Sequence, residues 1–595
     1  MNNDPAIVLK DYDVVIVGGG MAGAILAKLL TAASKRVLVL EAGQAMGLRW
    51  EGYVDYLETF YRQWLKTDQA PYPDNPNASF PEAFQKNNGT PVSFGTYMSS
   101  KPQGFPANYV RDLGGTSLHW LGTSLRMLPG DFEMATRYGR AVDWPIKYQD
   151  LAPYYSKAEW ELGVSAEVAD QMYLGVEFEK DYYYPMKRIP PSFLDTVISG
   201  GLEGMTVDFD GKEYPVKVVS LPQARNSVPN GDYRPVGAVD VAFLGQRCQG
   251  MANCVPLCPV QAKYSALKSF NQANPSYLDL RPKTVANRIN IDPATGRITG
   301  IEFQNYFDTT STSFRPGLAQ GKIYVIAAHV VETSKLLLAS GAANSSGLVG
   351  RNLMSHPTLI AWGLHPQNLC AFRGPAVTSG IESLRDGDFR KNRAAFRTDV
   401  GNWGWSYPEN SPYSNVQDLV DTQNMYGAAL RGKLRSILPR QMSFQFLVEQ
   451  LPDTSNRVTI DNTVRDQLGN FRPILNYQID DYTRRGFAAA RGLSKQIFTK
   501  LGVEDHSKYG SNNPNSFSFD GETYGYWAAG HFAGAYRMGT SKTDSVVNIR
   551  QQTWDHPNLY LVGCGSFPTL GTSNPSLTMA ALTVWAAENI AKDLK

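Results

Sequence analysis

The sequence predicts an α/β fold with a nucleotide-type parallel sheet, joined to a second, α+β domain on a mostly antiparallel sheet. Three observations predict it. A β-branched run, a glycine turn and an Ala/Leu-rich helix stand at the start of the chain. A second strand, glycine loop and helix stand at its end. Between them lie short strands and one long amphipathic helix.

Composition narrows the class. The chain has 595 residues and a formal net charge of +2, which argues against a general nucleic-acid binder or a polybasic membrane-surface protein. A hydrophobic fraction of 43% with 11% aromatics excludes wholesale disorder. The longest apolar candidate, Leu577 to Ala587, is shorter than the ~18–20 residues that cross a bilayer, so no transmembrane segment is expected. At roughly 100–200 residues per domain, three or four domains or a large two-domain enzyme fit the length. Met1-Asn2-Asn3-Asp4 shows no basic segment, twin arginine or apolar core of an export signal, which leads to a cytoplasmic expectation.

Asp13 to Val17 reads as a strand buried on both faces. It runs into Gly18-Gly19-Gly20-Met21-Ala22-Gly23, then into a helix over Ala24 to Ala33 and a second strand over Arg36 to Glu41. In this order Gly18 permits the tight turn, Gly20 lets the backbone approach a pyrophosphate, and Gly23 lets helix and strand pack closely. The helix N-terminus offers free N–H groups to phosphates. Glu41 can accept hydrogen bonds from both ribose hydroxyls and disfavours a 2′-phosphate. The alternative is a glycine turn with no ligand, and the motif alone does not separate FAD from NAD.

Pro71 to Pro81, rich in Pro and Asn, reads as a surface loop. Cys248, Cys254 and Cys258 are spaced C-x5-C-x3-C-P, unlike the paired spacing of structural zinc. Thiolates in this arrangement suit iron–sulfur ligation. Zinc with a distant fourth ligand, a disulfide with one odd thiol, and plain buried thiols remain open at this point. Three thiolates suit a [3Fe-4S] cluster better than a [4Fe-4S] one.

Ile323 to Ala328 reads as another buried strand, followed by a helix over Val331 to Ser340. Ser443 to Val448 and Arg457 to Ile460 read as strands of the second domain, with Asp481 to Leu501 a helix covering that sheet. Asn558 to Gly565 is a buried strand running into glycines. A loop over Ser566 to Pro575 follows, then a helix over Ser576 to Leu594 with Ser576 as its cap. His531 lies among small residues in Ala528-Ala529-Gly530-His531-Phe532-Ala533-Gly534, and Asn574 precedes Pro575. Each alone has an ordinary structural reading, as a satisfied histidine and a turn former.

Together these segments resemble the glucose–methanol–choline (GMC) family of flavoprotein oxidoreductases over most of the chain. The resemblance is carried by Asp13 to Glu41, by Val110-Arg111-Asp112-Leu113-Gly114-Gly115-Thr116-Ser117-Leu118-His119-Trp120, by Ala327 to Pro357, and by His531 to Ala587. Within the family, the Gly-Gly-Thr-x-x-His-Trp motif, the run from Trp144-Pro145-Ile146 to Tyr154-Tyr155 and the cysteine cluster are most similar to the flavoprotein subunits of bacterial membrane-linked sugar dehydrogenases. Those enzymes act on glucose, fructose, gluconate or sorbitol. Pyranose 2-oxidases are a second relative.

The resemblance implies a Rossmann-like FAD-binding domain of GMC type over 1–175, 240–355 and 525–595, carrying the cysteine cluster. It leaves 176–239 and 356–524 as the substrate domain. It implies FAD rather than NAD, held by Gly18, Gly20, Gly23, Glu41, Gly114, Gly115, Thr116, His119, Val285, Gly563, Gly565, Asn574 and Pro575. His119 is either bonded covalently to the flavin or packed against its ring. The resemblance gives Cys248, Cys254 and Cys258 to a [3Fe-4S] cluster. It makes His531 the base and Asn574 its partner in oxidising a secondary or hemiacetal hydroxyl of a sugar or polyol, with hydride transfer to flavin N5.

It also implies a small chaperone-type subunit, a cytochrome electron acceptor and periplasmic, membrane-associated placement through a signal-bearing partner. The alternatives are a pyranose-oxidase-like enzyme using O₂ and a non-catalytic electron-transfer subunit. The chain departs from its relatives at Leu118 before His119 and at Arg247 beside Cys248, where relatives show a double cysteine. Trp362 to Phe446 aligns poorly. Its Trp403, Trp405 and Tyr407 suit stacking on sugars and ordinary packing equally.

Overall fold

The computed structural model describes residues 6–45, 47, 49–62, 92–94, 97–100, 103–107, 109–240, 245–250, 254, 257–307, 312–402, 418–466, 468–510 and 515–595. Pro71 to Pro81, Trp403, Trp405 and Tyr407 lie outside the described residues.

The first sheet is built from β1 (Ile7–Val17), β2 (Val37–Leu40), β3 (Leu278–Arg281), β4 (Thr284–Ile291), β5 (Ile298–Tyr306) and β6 (Phe314–Ile326). They lie in the order β3-β2-β1-β6-β5-β4. Strands β1, β2, β3 and the end of β6 pair in parallel, whereas β4, β5 and β6 form an antiparallel meander. The far-end strand, Leu559–Leu561, adds in parallel to Tyr324–Ile326 of β6, so both ends of the chain share one sheet. Val14 to Val17 and Val37 to Leu40 are buried on both faces, which explains their unbroken apolar sequence. Helix α1 (Met21–Ala32) follows β1, and α2 (Val330–Ser340) follows β6.

The second sheet is antiparallel throughout. Its strands β7 (Pro357–Leu364), β8 (Val377–Ile381), β9 (Phe396–Gly401) and β10 (Gln441–Val448) are ordered β7-β10-β9-β8. Glu504–Asp505 and Val218–Ser220 form its edges, and Trp527–Ala528 also pairs with β7. Helix α3 (Asp481–Leu501) covers one face, with Phe498 packed on Phe444 at 6.0 Å between ring centroids. Arg457–Thr459, expected in this sheet, instead belongs to a small four-stranded sheet with Ile474–Asn476, Tyr97–Ser100 and Val92–Phe94. Its short apolar alternation says nothing about which partner it takes.

The last helix, α4, spans Pro575–Asp593 and starts one residue earlier than expected. Asn574 caps it and Pro575 takes the first helical position, where a missing N–H costs nothing, so Ser576 lies inside the first turn. No helix among the described residues is long and apolar enough to cross a membrane.

A buried ion-pair bridge ties the second sheet to the N-terminal part of the chain: Arg390 pairs with Asp131 at 2.9 Å and with Glu449, next to β10, at 2.5 Å. Within the N-terminal part Arg126 pairs with Glu159 at 2.7 Å. Where β1 meets α1 the packing leaves no spare volume. A Cβ on Gly23 would come within 2.0 Å of the Gly18 carbonyl oxygen. Gly23→Ala is therefore expected to destabilise this domain by about 1–3 kcal/mol through overpacking. The check is a lower midpoint for the first thermal transition; an unchanged melt would show that the turn can relax.

Candidate active site

The glycine turn forms the first wall. Gly18 has a φ of +103°, and a Cβ there would meet the Ala327 carbonyl oxygen at 2.6 Å, so only glycine fits beside the end of β6. Gly20 caps α1 without a side-chain hydrogen bond, and a Cβ on it would meet nothing within 4 Å. Unpaired N–H groups thus face open space at the positive end of the helix dipole, a cradle that fits a pyrophosphate.

Glu41 sits just past β2. Its two oxygens each accept a 2.6 Å hydrogen bond, from the Gly19 and Gly43 backbone N–H groups. Burial pushes its carboxyl up to about 7, against the pull of those N–H donors. Val285, buried on β4, packs with Tyr306 and Leu468 against Ala42, next to Glu41.

Gly114 and Gly115 both have positive φ, at +101° and +53°. Their turn docks on the first one, with the Gly114 N–H donating to the Gly19 carbonyl at 3.0 Å. The turn is fixed from behind by Asp112, which accepts from Ala45 N–H at 2.8 Å, and by Arg111, which pairs with Glu332 of α2. The Thr116 carbonyl accepts from the N–H groups of both His119 and Trp120, so His119 closes a short 3-10 turn. At the far end of the chain, Gly563 has φ +149°, and a Cβ on Gly565 would strike the Tyr536 ring at 2.0 Å.

The structure brings His531 and Asn574 together. Asn574 Nδ2 lies 3.2 Å from His531 Nε2. His356, which the sequence reading did not single out, completes the group. Its Nδ1 is 2.8 Å from His531 Nδ1, and its Nε2 is 2.8 Å from the Gly571 carbonyl oxygen. A carbonyl only accepts, so His356 Nε2 carries a proton, and in the neutral ring its Nδ1 is an acceptor. His531 must then donate from Nδ1, which leaves Nε2 as a lone pair facing Asn574.

Burial holds both imidazoles far below the usual histidine value: His356 at about 3 and His531 well below, with Arg397 adding to the depression of each. Both are therefore neutral at ordinary pH. The Asn574 Oδ1 atom is buried and has no hydrogen-bond partner. The only hint of His356 in the sequence was a histidine-proline step heading a strand.

The five cysteines are free, which sets aside the disulfide reading. Among the described residues no group of three or more His, Cys, Asp or Glu side chains is placed to hold a metal ion. Cys254 and Cys258 are buried and Cys248 partly so. Burial raises the Cys248 thiol, with Cys254 and Cys258 close enough to add to the rise. Three buried cations surround them. Lys263 Nζ donates to the carbonyls of Leu118 at 2.8 Å and Cys254 at 2.6 Å. Lys268 donates to Ala262 O at 3.2 Å, and Arg225 to Leu121 O. Burial lowers Lys263 to about 8 and Lys268 to about 7, while the nearby thiols pull the other way. The chemistry of the three thiols, beside the buried Lys263 and Arg225, suits a sulfur-ligated group, although the side chains are not set here at ligating positions.

Known proteins share this sequence pattern and fold. Models of the GMC oxidoreductase N- and C-terminal regions match residues 235–358 and 452–583, and a Rossmann-like NAD(P)-binding model matches 16–66. The chain is 31% identical to the fructose dehydrogenase large subunit of Gluconobacter japonicus over 98% of both chains. It is 27% identical to 2-methyl-1,2-propanediol dehydrogenase of Mycolicibacterium austroafricanum, over 98% of this chain and 95% of that one. Pyridoxine 4-oxidase from Mesorbium loti shares the fold, with a TM-score of 0.58 at 16% identity, over 97% of this chain and 99% of that one. With both family models matched and a relative 31% identical over 98% of both chains, the chain belongs to the GMC oxidoreductase family.

Proposed function

We propose that the protein is an FAD-dependent dehydrogenase that oxidises a secondary or hemiacetal hydroxyl of a sugar or polyol, with His531 as base. The observation that carries this reading is the His531 Nε2 lone pair set 3.2 Å from Asn574 Nδ2. A substrate hydroxyl placed between them donates its proton to Nε2 while its oxygen accepts from the asparagine amide. As His531 becomes positive, its Nδ1–H stays bonded to the His356 acceptor, which keeps the ring in place.

FAD, when bound, supplies the acceptor for the hydrogen leaving carbon. Gly18, Gly20 and Gly23 with the α1 N-terminus would hold its pyrophosphate and Glu41 its ribose. Gly114, Gly115, Thr116, His119, Val285, Gly563, Gly565, Asn574 and Pro575 would line the rest. The fructose dehydrogenase relative supports a sugar. A [3Fe-4S] cluster on Cys248, Cys254 and Cys258, when bound, supplies a one-electron exit; the free thiols and their buried cations support it. That exit favours a cytochrome-type acceptor and a partner subunit over O₂.

Three outcomes are expected. His531→Ala should retain FAD, yet its anaerobic reduction by the best sugar of a panel should slow about 10²–10⁴-fold, followed by loss of flavin absorbance. Unchanged kinetics would reject the base. Because both histidines have depressed pKa values, the base stays deprotonated below ~6.5, the value of a free histidine. The limiting reduction rate should therefore hold level from neutral pH into the acid range; a fall centred near 6.5 would contradict the buried pair. Metal analysis and electron paramagnetic resonance of the oxidised protein should find iron with a cluster signal, and neither Cys254→Ser nor Cys258→Ser should keep it. An iron-free protein that consumes oxygen faster than it reduces dyes would point to an oxidase.

A further inference from the structure

The second sheet has two unlike faces. Leu359, Ala361, Phe396, Phe444 and Phe446 point to the face under α3. The opposite face carries polar side chains where most buried sheets carry aliphatic ones. Asp399 on β9 stands opposite Gln445 on β10, and Gln445 opposite Ile360 on β7. Arg397 stands two residues along from Asp399 on the same face. Arg397 is 1% exposed and Gln445 6%, so neither is satisfied by bulk water.

This face is continuous with the catalytic loop. Arg385 donates from Nε to Thr572 at 3.1 Å and from Nη2 to Ser573, the residue before Asn574. It also pairs with Glu382 at 3.2 Å, and Glu382 lies 3.8 Å from Arg397. The charge of Arg397 is felt at both His356 and His531.

Three buried polar atoms in this group have no hydrogen-bond partner: Arg397 Nε, Gln445 Nε2 and Glu382 Oε1. Buried polar atoms are normally paired, so the open donors of Arg397 and Gln445 on this face, with the Glu382 oxygen 3.8 Å from Arg397 just past β8, leave room in the bonding pattern for an occupant. Two are donors and one is an acceptor, the combination that hydroxyl groups satisfy. The charges are balanced within the group. Asp399 holds Arg397 in a two-pronged pair at 2.6 and 3.1 Å, and Glu382 holds Arg385. No net charge is left over to recruit an ionic substrate.

We propose that Arg397, Gln445 and Glu382 bind the hydroxyls of a neutral polyhydroxylated substrate away from its reacting carbon, and so select it over both simple alcohols and anionic sugar acids. The inference rests on the alcohol oxidation argued above and names the substrate class of that same site. A mono-alcohol would leave the three atoms unpaired, and a sugar acid would bring an uncompensated charge to a balanced site.

The test uses the FAD-loaded protein under anaerobic conditions, with D-fructose, D-glucose, D-sorbitol, D-gluconate and cyclohexanol as probes. At least one neutral polyol should bleach the flavin with an efficiency about 100-fold or more above gluconate and cyclohexanol. Gln445→Leu should raise the half-saturating polyol concentration about tenfold, with the limiting rate nearly unchanged and FAD retained. Gln445→Asn, which keeps the amide but shortens its reach, should act in the same direction and serves where the leucine variant fails to fold.

Equal efficiency with gluconate or cyclohexanol overturns the selection, as does an unchanged half-saturating concentration in the Gln445 variants. His531→Ala should instead lower the limiting rate and leave the half-saturating concentration in place. A flavin bleached by none of the probes overturns the reaction itself, an outcome distinct from loss of selectivity alone.

Discussion

The hydrogen bond from His356 to the Gly571 carbonyl, 2.8 Å long, fixes the protonation pattern on which the site depends. Backbone carbonyls cannot donate, so the bond dictates which nitrogen of His356 holds its proton. That dictates the tautomer of His531 and leaves its Nε2 as an acceptor. Without such an anchor, two adjacent neutral imidazoles could take either tautomer, and one of the two arrangements would present an N–H to the substrate. The anchor is cheap because Gly571 and His356 lie on loops already held by other forces. His356 directly precedes β7, and Gly571 packs against Asp131, itself paired with Arg390.

The same loops are set by an unusual density of buried charge. Arg385, Arg390 and Arg397 lie on or beside β8 and β9, and each is compensated by a carboxylate within the protein. Replacing such pairs with apolar residues is often neutral for stability. Their value here is positional. Arg385 reaches from the second sheet to Thr572 and Ser573 ahead of α4, so the sheet that covers the site and the loop that carries Asn574 cannot drift independently.

Much of the first sheet was legible in the sequence because its signals are local. A strand buried on both faces, a glycine turn and a helix obey short-range rules, and Gly18 and Gly23 have contacts that only glycine allows. The four-stranded assignment of Arg457–Thr459 was not legible, because pairing partners lie far along the chain. The helix boundary at Pro575 turned on a single capping choice. His531 and Asn574 were found by resemblance, since neither shows its role in its neighbours. His356 was missed because its function comes only from its contacts, and the polar face because Arg397 and Asp399 fall in the stretch Trp362 to Phe446, which aligns poorly, and only the fold shows that they are buried.

Lys263 reaches two loops of different origin. One ammonium group bonds the carbonyl of Leu118, beside His119, and the carbonyl of Cys254. A buried amine is tolerated in the interior only where its donors find acceptors, and both carbonyls supply them here. The turn bearing His119 and the segment at Cys254 are therefore coupled in position through this one side chain. A shift of the thiol loop would therefore be felt at the histidine turn through one shared side chain.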